Sequence, residues 1–302
     1  MRLRCPLIFS RLGRGCFGQF PGSVFAVGRA RHPAASVYIE ERARLHDLPV
    51  SHNALPAPCG WVTSAHFNIR NDAMSDLISY HLEDGIATLT LNNGKVNAIS
   101  PDVIAAFNVA LDQAVLDRAV VVITGQPGIL SGGYDLKVMT AGPQQAVALV
   151  TQGSTLARRL LAHPFPVVVA CSGHAVAKGA FLLLSVDYRI GVDGPFSIGL
   201  NEVQIGMTMH HAGIELARDR LRKSAFHRSV INGEMFNPQA AVDAGFLDKV
   251  VQPDELHAAA LEVARQLKKI NMLAHKNTKL KVRKALLDTL DAAIELDKAH
   301  LI

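Results

Sequence analysis

Apolar segments of strand length alternate with segments of helical periodicity through most of the chain. Residues 86–91 (IATLTL) alternate β-branched and other apolar side chains, and residues 119–124 and 167–172 are almost continuously apolar. A further strand is predicted over residues 187–192. Continuous apolar runs of this length are typical of strands that are covered on both faces. The pattern therefore predicts an α/β protein.

Helix signals lie between these strands. Ser100 and Pro101 are a strong helix start, because serine caps free N–H groups and proline fits the first helical position. A second helix is predicted over residues 144–162, ended by the His-Pro-Phe-Pro segment that follows it. A third begins at Asn237 and ends at Gly245. The first helix presents one apolar face, made of Ile104, Phe107, Leu111 and Val115.

After a short strand at Val250 and Val251, the pattern predicts two C-terminal helices. The first carries an apolar stripe of Leu256, Ala260, Val263, Leu267 and Ile270. The second carries a stripe of Leu280, Leu287, Leu290, Ile294 and Leu301. A terminal helix this apolar is expected to pack against its own domain or a neighbouring subunit.

Composition and charge narrow the class of protein. The 302 residues are 49% hydrophobic and 19% charged, and no run approaches the roughly 18 apolar residues of a membrane helix. We therefore expect a soluble protein with no membrane partner. The net charge of +5 comes from residues 1–73, which hold nine Arg, no Lys and four acidic residues, against 22 basic and 22 acidic residues in 74–302. A neutral body gives no reason to expect nucleic acid as a partner.

The chain divides by composition into residues 1–73, a core at 74–250 and C-terminal helices at 251–302. The first segment lacks apolar periodicity and is expected to be mostly disordered. Translation starting at Met74 is the favoured explanation, which implies a cytoplasmic protein; a mitochondrial transit peptide in residues 1–39 is the alternative. Cys171 is the only cysteine after residue 73, so no disulfide framework is expected and a reducing compartment is favoured.

Two stretches rich in small residues are the candidate site. Residues 171–190 (CSGHAVAKGAFLLLSVDYRI) pass from a strand to a helix predicted over 179–186, with small residues in the connecting turn. Backbone N–H groups at such a turn could face a negative charge, although close packing alone also explains small residues. In residues 128–136 (GILSGGYDL), Gly132 and Gly133 remove steric cover and Asp135 can cap a helix. The Tyr134 N–H could then point at a ligand.

These two stretches resemble the crotonase (enoyl-CoA hydratase/isomerase) superfamily, and the resemblance extends across residues 75–300. Three further segments contribute to it: GKVNAIS, IGLNEVQIGM at residues 198–207, and NPQAAVDAGFLDKVV. The resemblance implies a spiral of ββα units with a C-terminal helical trimerisation region. It also implies a homotrimer or dimer of trimers that binds an acyl-CoA thioester. The thioester oxygen would lie between the backbone N–H groups of Tyr134 and Lys178. Lys178 departs from the glycine that is common in the family, so its backbone must adopt a conformation that a β-carbon permits.

The resemblance also assigns a catalytic role to Glu202. Hydratases of the family carry glutamates at the positions of both Phe181 and Glu202, so the phenyl ring of Phe181 favours the Δ3,Δ2-enoyl-CoA isomerases. One carboxylate suffices to move a proton from C2 to C4. Apolar neighbours should raise the pKa of Glu202, whereas a surface salt bridge is the alternative. A hydratase of β-oxidation and a catalytically idle acyl-CoA-binding relative remain alternatives. Substrate contacts are expected from Ala98, Gly132, Gly133, Asp135, Gly179, Phe181 and Lys279.

No cofactor is expected apart from the coenzyme A of the substrate, because no Gly-rich nucleotide motif, P-loop or CxxC pattern occurs. His210 and His211 are adjacent rather than at metal-ligand spacing, so no metal site is expected. Cys171 lacks a nearby base in sequence and is interpreted as a small buried residue. Lys279 belongs to a basic cluster with Lys276, Lys281, Arg283 and Lys284. This cluster is either a solvated helix face or, by the resemblance, the site of the CoA 3′-phosphate, with Lys279 as the main contact.

Overall fold

The computed structural model describes residues 76–300. The expectations for residues 1–73 and for Leu301 lie outside the described residues. Among the residues described, no helix is both long and apolar enough to cross a membrane.

Ten strands are described. They are β1 (Ile78–Glu83), β2 (Ile86–Leu91), β3 (Val120–Thr124), β4 (Gly128–Ser131), β5 (Val167–Cys171), β6 (Gly173–Val176), β7 (Tyr188–Val192), β8 (Ile198–Gly199), β9 (Met235–Phe236) and β10 (Lys249–Val251). Six form one sheet in the order β1-β2-β3-β5-β7-β10, and four form a second in the order β4-β6-β8-β9. Pairing is parallel except between β1 and β2 and between β8 and β9.

Ten α-helices accompany these strands. They are α1 (Pro101–Leu116), α2 (Leu136–Met139), α3 (Pro143–Leu161), α4 (Lys178–Leu184), α5 (His211–Arg220), α6 (Lys223–Val230), α7 (Pro238–Ala244), α8 (Leu256–Lys268), α9 (Met272–Val282) and α10 (Lys284–His300). The sequence signals at their ends operate as expected. The Ser100 hydroxyl accepts a hydrogen bond from the Val103 N–H, and Gly245 ends α7 in a left-handed conformation.

The chain repeats one unit three times. Strands β3, β5 and β7 lie side by side in the first sheet, and each is followed by a strand of the second sheet, respectively β4, β6 and β8. A helical segment then returns the chain to the next unit. This confirms the expected spiral of ββα units and brings the ends of β4 and β6 together.

The second sheet was not predicted. Strand β6 lies where the sequence predicts only a turn of small residues, and no strand is predicted where β8 lies. These strands have two to four residues and contain Gly, Ala or Ser, so they show no alternating pattern. Their stability comes from pairing with strands distant in sequence, such as Gly128 of β4 with Gly173 of β6.

The C-terminal part has three helices rather than the two predicted. The break falls at Arg283, where no Pro or Gly marks it, so helical periodicity continues across the boundary in the sequence. Helix α8 packs on β3 and β5, and α10 packs on α5 and α3. Val115, placed on the apolar face of α1, is partly exposed.

The stripe on the last helix is buried within the chain. Leu287, Leu290 and Ile294 belong to the main hydrophobic core. Of the two expected packing partners, its own domain is the one against which the helix packs. This stripe is therefore not available as a subunit interface.

Leu290→Ala should lower the free energy of unfolding by about 2–5 kcal/mol, because it leaves a cavity in a core that cannot fully collapse. Leu290 is 1% exposed, whereas Leu296 on the same helix is 47% exposed and its change to Ala is the matched control. Denaturant unfolding of both variants checks this. A change in oligomeric mass with undiminished protomer stability would contradict the intrachain packing.

Candidate functional site

The site is formed where two turns touch at the ends of β4 and β6. Gly133 has φ +111°, and a Cβ on it would lie 3.1 Å from the Ala177 Cβ and 3.7 Å from the Lys178 amide nitrogen. A Cβ on Gly179 would lie 2.2 Å from the Ser131 carbonyl oxygen. Both glycines therefore allow backbone to approach backbone more closely than any side chain would permit.

The amides of Tyr134 and Lys178 have no acceptor among residues 76–300. On either side of Tyr134, the Gly133 carbonyl accepts from the Ile99 N–H at 2.8 Å, and the Asp135 N–H donates to the Ile99 carbonyl at 3.0 Å. Because successive peptide groups of an extended strand point in opposite directions, the Tyr134 N–H faces away from Ile99. The Lys178 N–H belongs to the first turn of α4 and has no intrahelical partner. Two neighbouring donors thus remain for an acceptor from outside.

Backbone strain lies at Ala177 rather than at Lys178. Ala177 has φ 49° and ψ −118°, outside the left-handed helical region that non-glycine residues sometimes visit. Such conformations cost about 1–3 kcal/mol and persist only where the surroundings enforce them. Lys178 is not among the residues with positive φ, so the lysine at this position is compatible with the backbone that presents its N–H.

Glu202 is a buried carboxylate that forms no salt bridge with any residue from 76 to 300. It begins a 3-10 turn, Glu202–Ile205, just after β8, and is 7% exposed. Its Oε2 has no hydrogen-bond partner among the described residues. Burial raises the pKa of Glu202 to about 7, and a backbone hydrogen bond only partly opposes this. The salt-bridged surface alternative is therefore wrong.

Glu202 also lies near Tyr134. Burial raises the pKa of the Tyr134 hydroxyl, and the charge of Glu202 is the next largest cause. The charge of Glu202 is thus close enough to act on the side chain of Tyr134, whose backbone N–H is free. Two N–H donors and one base of near-neutral pKa can together polarise a carbonyl and accept a proton beside it.

Phe181 packs edge-on against His210, with ring centroids 5.2 Å apart. With Lys178 and Gly213, these rings line a cavity of about 10 Å³ between α4 and α5, which is at the lower limit for one water molecule. Burial lowers the pKa of His210 to about 4, so its imidazole is neutral near pH 7. Asp297 of α10 accepts from the N–H groups of His211 and Ala212 and so fixes the start of α5 here.

The other candidate contacts have identifiable local roles. Asp135 caps α2 by accepting from the Lys137 N–H at 2.9 Å. The Gly132 N–H donates to the Val96 carbonyl, and the half-buried Ala98 uses its carbonyl to accept from Asn93. Cys171 is buried, which raises the pKa of its thiol to about 12 and confirms a packing role.

Lys279 does not join this site. Its ammonium group donates to the carbonyls of His163 and Phe165 and to the Asp187 carboxylate at 2.6 Å. These acceptors precede β5 and β7, whereas the free amides follow the opposite, carboxyl ends of β4 and β6. All three donors are thus used within the chain, and the contact of Lys279 with the CoA 3′-phosphate stays a prediction. Arg283 pairs with the same Asp187, so the basic cluster is not simply a solvated face either.

Asn97 was missed as an organiser of the site. It is fully buried with φ 47°, and its Nδ2 group lies within hydrogen-bond distance of the carbonyls of Leu91, Ile129 and Leu130. Its own carbonyl accepts from the Ser131 hydroxyl at 2.8 Å. The sequence signal that could have identified this role is the asparagine within GKVNAIS, because asparagine tolerates positive φ better than most residues.

Comparison with known proteins places these features in a family. A family model described as enoyl-CoA hydratase/isomerase matches residues 81–301. Mouse mitochondrial enoyl-CoA delta isomerase 1 is 30% identical over 218 residues, which are 70% of this chain and 75% of that protein.

Solved structures agree on the fold. An enoyl-CoA hydratase/isomerase family protein from Pseudomonas syringae is 80% identical with a TM-score of 0.76, covering 76% of this chain and all of that one. A Mycobacterium tuberculosis protein, called an enoyl-CoA isomerase in one structure and a probable enoyl-CoA hydratase in another, is 40% identical; the first structure has a TM-score of 0.72 and covers 75% of this chain and all of that one. Other matching proteins are named hydratases.

Glu202→Gln should raise thermal stability at alkaline pH. Between pH 4.5 and about 7 the folded protein retains a proton that the unfolded chain releases, so the stability associated with Glu202 is lost as pH rises through this window. The difference in the free energy of unfolding between variant and wild type should grow to at most about 3 kcal/mol above pH ~7 and vanish at acid pH. Melting temperatures across this range test it, with the exposed Glu83→Gln as control. A constant difference at all pH values would show that Glu202 is not a buried, titrating acid.

Proposed function

The chain belongs to the enoyl-CoA hydratase/isomerase family, and we propose that it moves the double bond of a 3-enoyl-CoA to the 2 position. The observation that carries this proposal is Glu202, a buried carboxylate whose Oε2 has no partner within residues 76–300 and whose charge acts on the side chain of Tyr134. The position expected to hold a second carboxylate in a hydratase is occupied by the buried ring of Phe181.

In the proposed reaction, the thioester oxygen accepts hydrogen bonds from the Tyr134 and Lys178 N–H groups. Glu202 removes a proton from C2, and the electron pair of that C–H bond forms a C1–C2 double bond as the carbonyl π pair moves onto the thioester oxygen. The resulting dienolate carries negative charge on the thioester oxygen. Glu202 then returns the proton to C4, which gives the 2-enoyl thioester and restores the carboxylate. When the proton is added at C4, the carbonyl reforms, the C1–C2 pair becomes the C2–C3 double bond and the C3–C4 π pair forms the new C4–H bond.

The raised pKa of Glu202 suits both the removal of the C2 proton and its return to C4. A carboxylate with a pKa of about 7 is a stronger base than an exposed one and remains able to give the proton back. One donor of this kind is worth about 3–4 kcal/mol to a developing oxyanion. No group outside the substrate and these residues is needed to balance the reaction.

The Phe181 environment argues against hydration. Adding water to a double bond requires a place for that water and a group to deprotonate it. The space beside Phe181 is a cavity of about 10 Å³, and neutral His210 fills its other side. Because some of the matching proteins are named hydratases, hydration of a 2-enoyl-CoA is the second candidate reaction.

Purified protein should convert 3-enoyl-CoA much faster than it hydrates 2-enoyl-CoA, and Glu202→Gln should abolish the isomerisation. The variant should bind a CoA ester within about tenfold of wild type, roughly 1.4 kcal/mol, because the amide donors are unchanged. Absorbance assays of both reactions and calorimetric titration measure this. Efficient hydration by the wild type, or full isomerase activity in the variant, would reject the single-base mechanism. Binding without turnover of either ester would favour the idle acyl-CoA-binding alternative.

Phe181→Glu is the complementary variant in the same assays. Restoring a second carboxylate should raise hydration from a very low level while leaving the amide donors in place. Phe181→Leu, which alters the ring without adding a carboxylate, is its control.

We also propose assembly into a trimer or dimer of trimers through the C-terminal region. Helix α9 supports this better than α10, because the exposed Ile270 and Val282 line an open groove of about 440 Å³ with Ala274 between them. Sedimentation should give a multiple of three protomer masses, and Val282→Glu should weaken the assembly whereas Leu290→Ala should not. A wild-type monomer at micromolar concentration would contradict this proposal.

A further inference from the structure

We propose that the buried side chains of Lys178 and Tyr134 fasten the two amide-bearing turns to one turn of helix α3, which makes Lys178 a positioning residue for the thioester oxygen. This inference rests on the proposed function. It assigns a role to the side chains of two residues whose backbones alone enter the reaction.

Lys178 is the first anchor. Its side chain is 2% exposed, and its Nζ donates to the Gly153 carbonyl at 2.6 Å. No ion pair within residues 76–300 includes Lys178, although fully buried lysines are normally paired. Burial lowers its pKa to about 7, and the neutral amine still donates, so the contact survives loss of the proton. An apolar residue of similar length would avoid this desolvation, so stability alone does not account for the lysine.

Tyr134 is the second anchor, and it reaches the same turn. Its hydroxyl lies 3.5 Å from the Val150 carbonyl, and a Cβ on Gly153 would lie 2.1 Å from that hydroxyl. Gly153 thus forms a notch in α3 that admits the tyrosine ring. A glycine inside a helix costs about 1 kcal/mol relative to alanine, so the notch is maintained against helix propensity. The Lys178 Nζ lies 5.9 Å from the centroid of the Tyr134 ring, so the anchors are neighbours.

The anchors act on a strained backbone. The Ala177 conformation must be enforced by its surroundings, and Lys178 is joined to it directly. Losing the Lys178–Gly153 contact removes one such restraint, while the Gly133 and Gly179 approaches remain. Displacement of a reacting group by about 1 Å can lower a rate by about 100-fold. A modest relaxation of the turn should therefore impair turnover more than binding.

Direct proton transfer by Lys178 is the competing role. Its amine is buried and already donates to a helix carbonyl, so proton transfer would require breaking that hydrogen bond. The two roles make different predictions. Positioning changes the polarisation of the bound carbonyl, whereas proton transfer does not.

Lys178→Met keeps the aliphatic length and removes the donor, and exposed Lys223→Met is the matched control. The probe is a saturated acyl-CoA labelled with 13C at the thioester carbonyl, whose infrared stretch reports polarisation without turnover. We expect a smaller downshift of that stretch in Lys178→Met, a kcat about 10- to 100-fold lower with KM within about threefold, and faster amide exchange around residues 177–180. Lys223→Met should match wild type in all three measurements.

Gly153→Ala provides a second test if Lys178→Met does not fold. The added methyl group collides with the Tyr134 ring, so it should reduce the carbonyl downshift while Lys178 is intact. Tyr134→Phe should have a smaller effect, since it removes only the long hydroxyl contact.

Unchanged carbonyl polarisation and amide exchange in Lys178→Met would overturn the inference. Lost activity with an intact carbonyl shift would assign Lys178 to proton chemistry and also overturn it. If the wild type fails to isomerise 3-enoyl-CoA while Lys178→Met still weakens the carbonyl shift, the positioning role stands and the proposed reaction falls. A wild type that binds no acyl-CoA overturns both.

Discussion

The site depends on a contact between two stretches of backbone at the ends of neighbouring strands. A Cβ on Gly179 would collide with the Ser131 carbonyl oxygen, and Gly133 lies close to Ala177 with a positive φ that side chains rarely adopt. Parallel pairing of β4 with β6 sets this approach, and Asn97 holds the adjoining loop by hydrogen bonds to backbone carbonyls. Because the amides of Tyr134 and Lys178 belong to these stretches, the direction of both N–H groups is a consequence of the packing of the second sheet.

Buried ionisable groups surround this contact with few opposite charges. Glu202, Lys178 and His210 each have a pKa shifted by burial towards the neutral form. Neutral groups avoid the large desolvation penalty of buried charges. Few ionised side chains therefore lie near the amides. In such surroundings, a negative charge forming on a bound oxygen would interact strongly with two fixed N–H dipoles.

The opposite end of the main sheet is held by charge instead. Asp187 pairs with Lys279 and Arg283, and its carboxylate also accepts from the Val167 N–H at 2.8 Å. Lys279 and Arg283 thereby attach the end of α9 to the amino ends of β5 and β7. The fold thus separates this ionic cluster from the free amides at the ends of β4 and β6.

The sequence alone determined the long first-sheet strands, the helix starts at Ser100 and Asn237, the family, and Glu202 as a carboxyl group among apolar neighbours. These depend on local patterns: apolar runs, capping residues and motif spacing. Tertiary structure alone decided the short strands β4, β6 and β8, the break at Arg283, the internal engagement of Lys279 and the contact of Lys178 with Gly153. Each of these joins residues at least 23 positions apart or depends on a backbone approach that no local pattern records. From the sequence alone, a lysine is expected to be a solvated charge, because its burial depends on which helix it contacts in the folded chain.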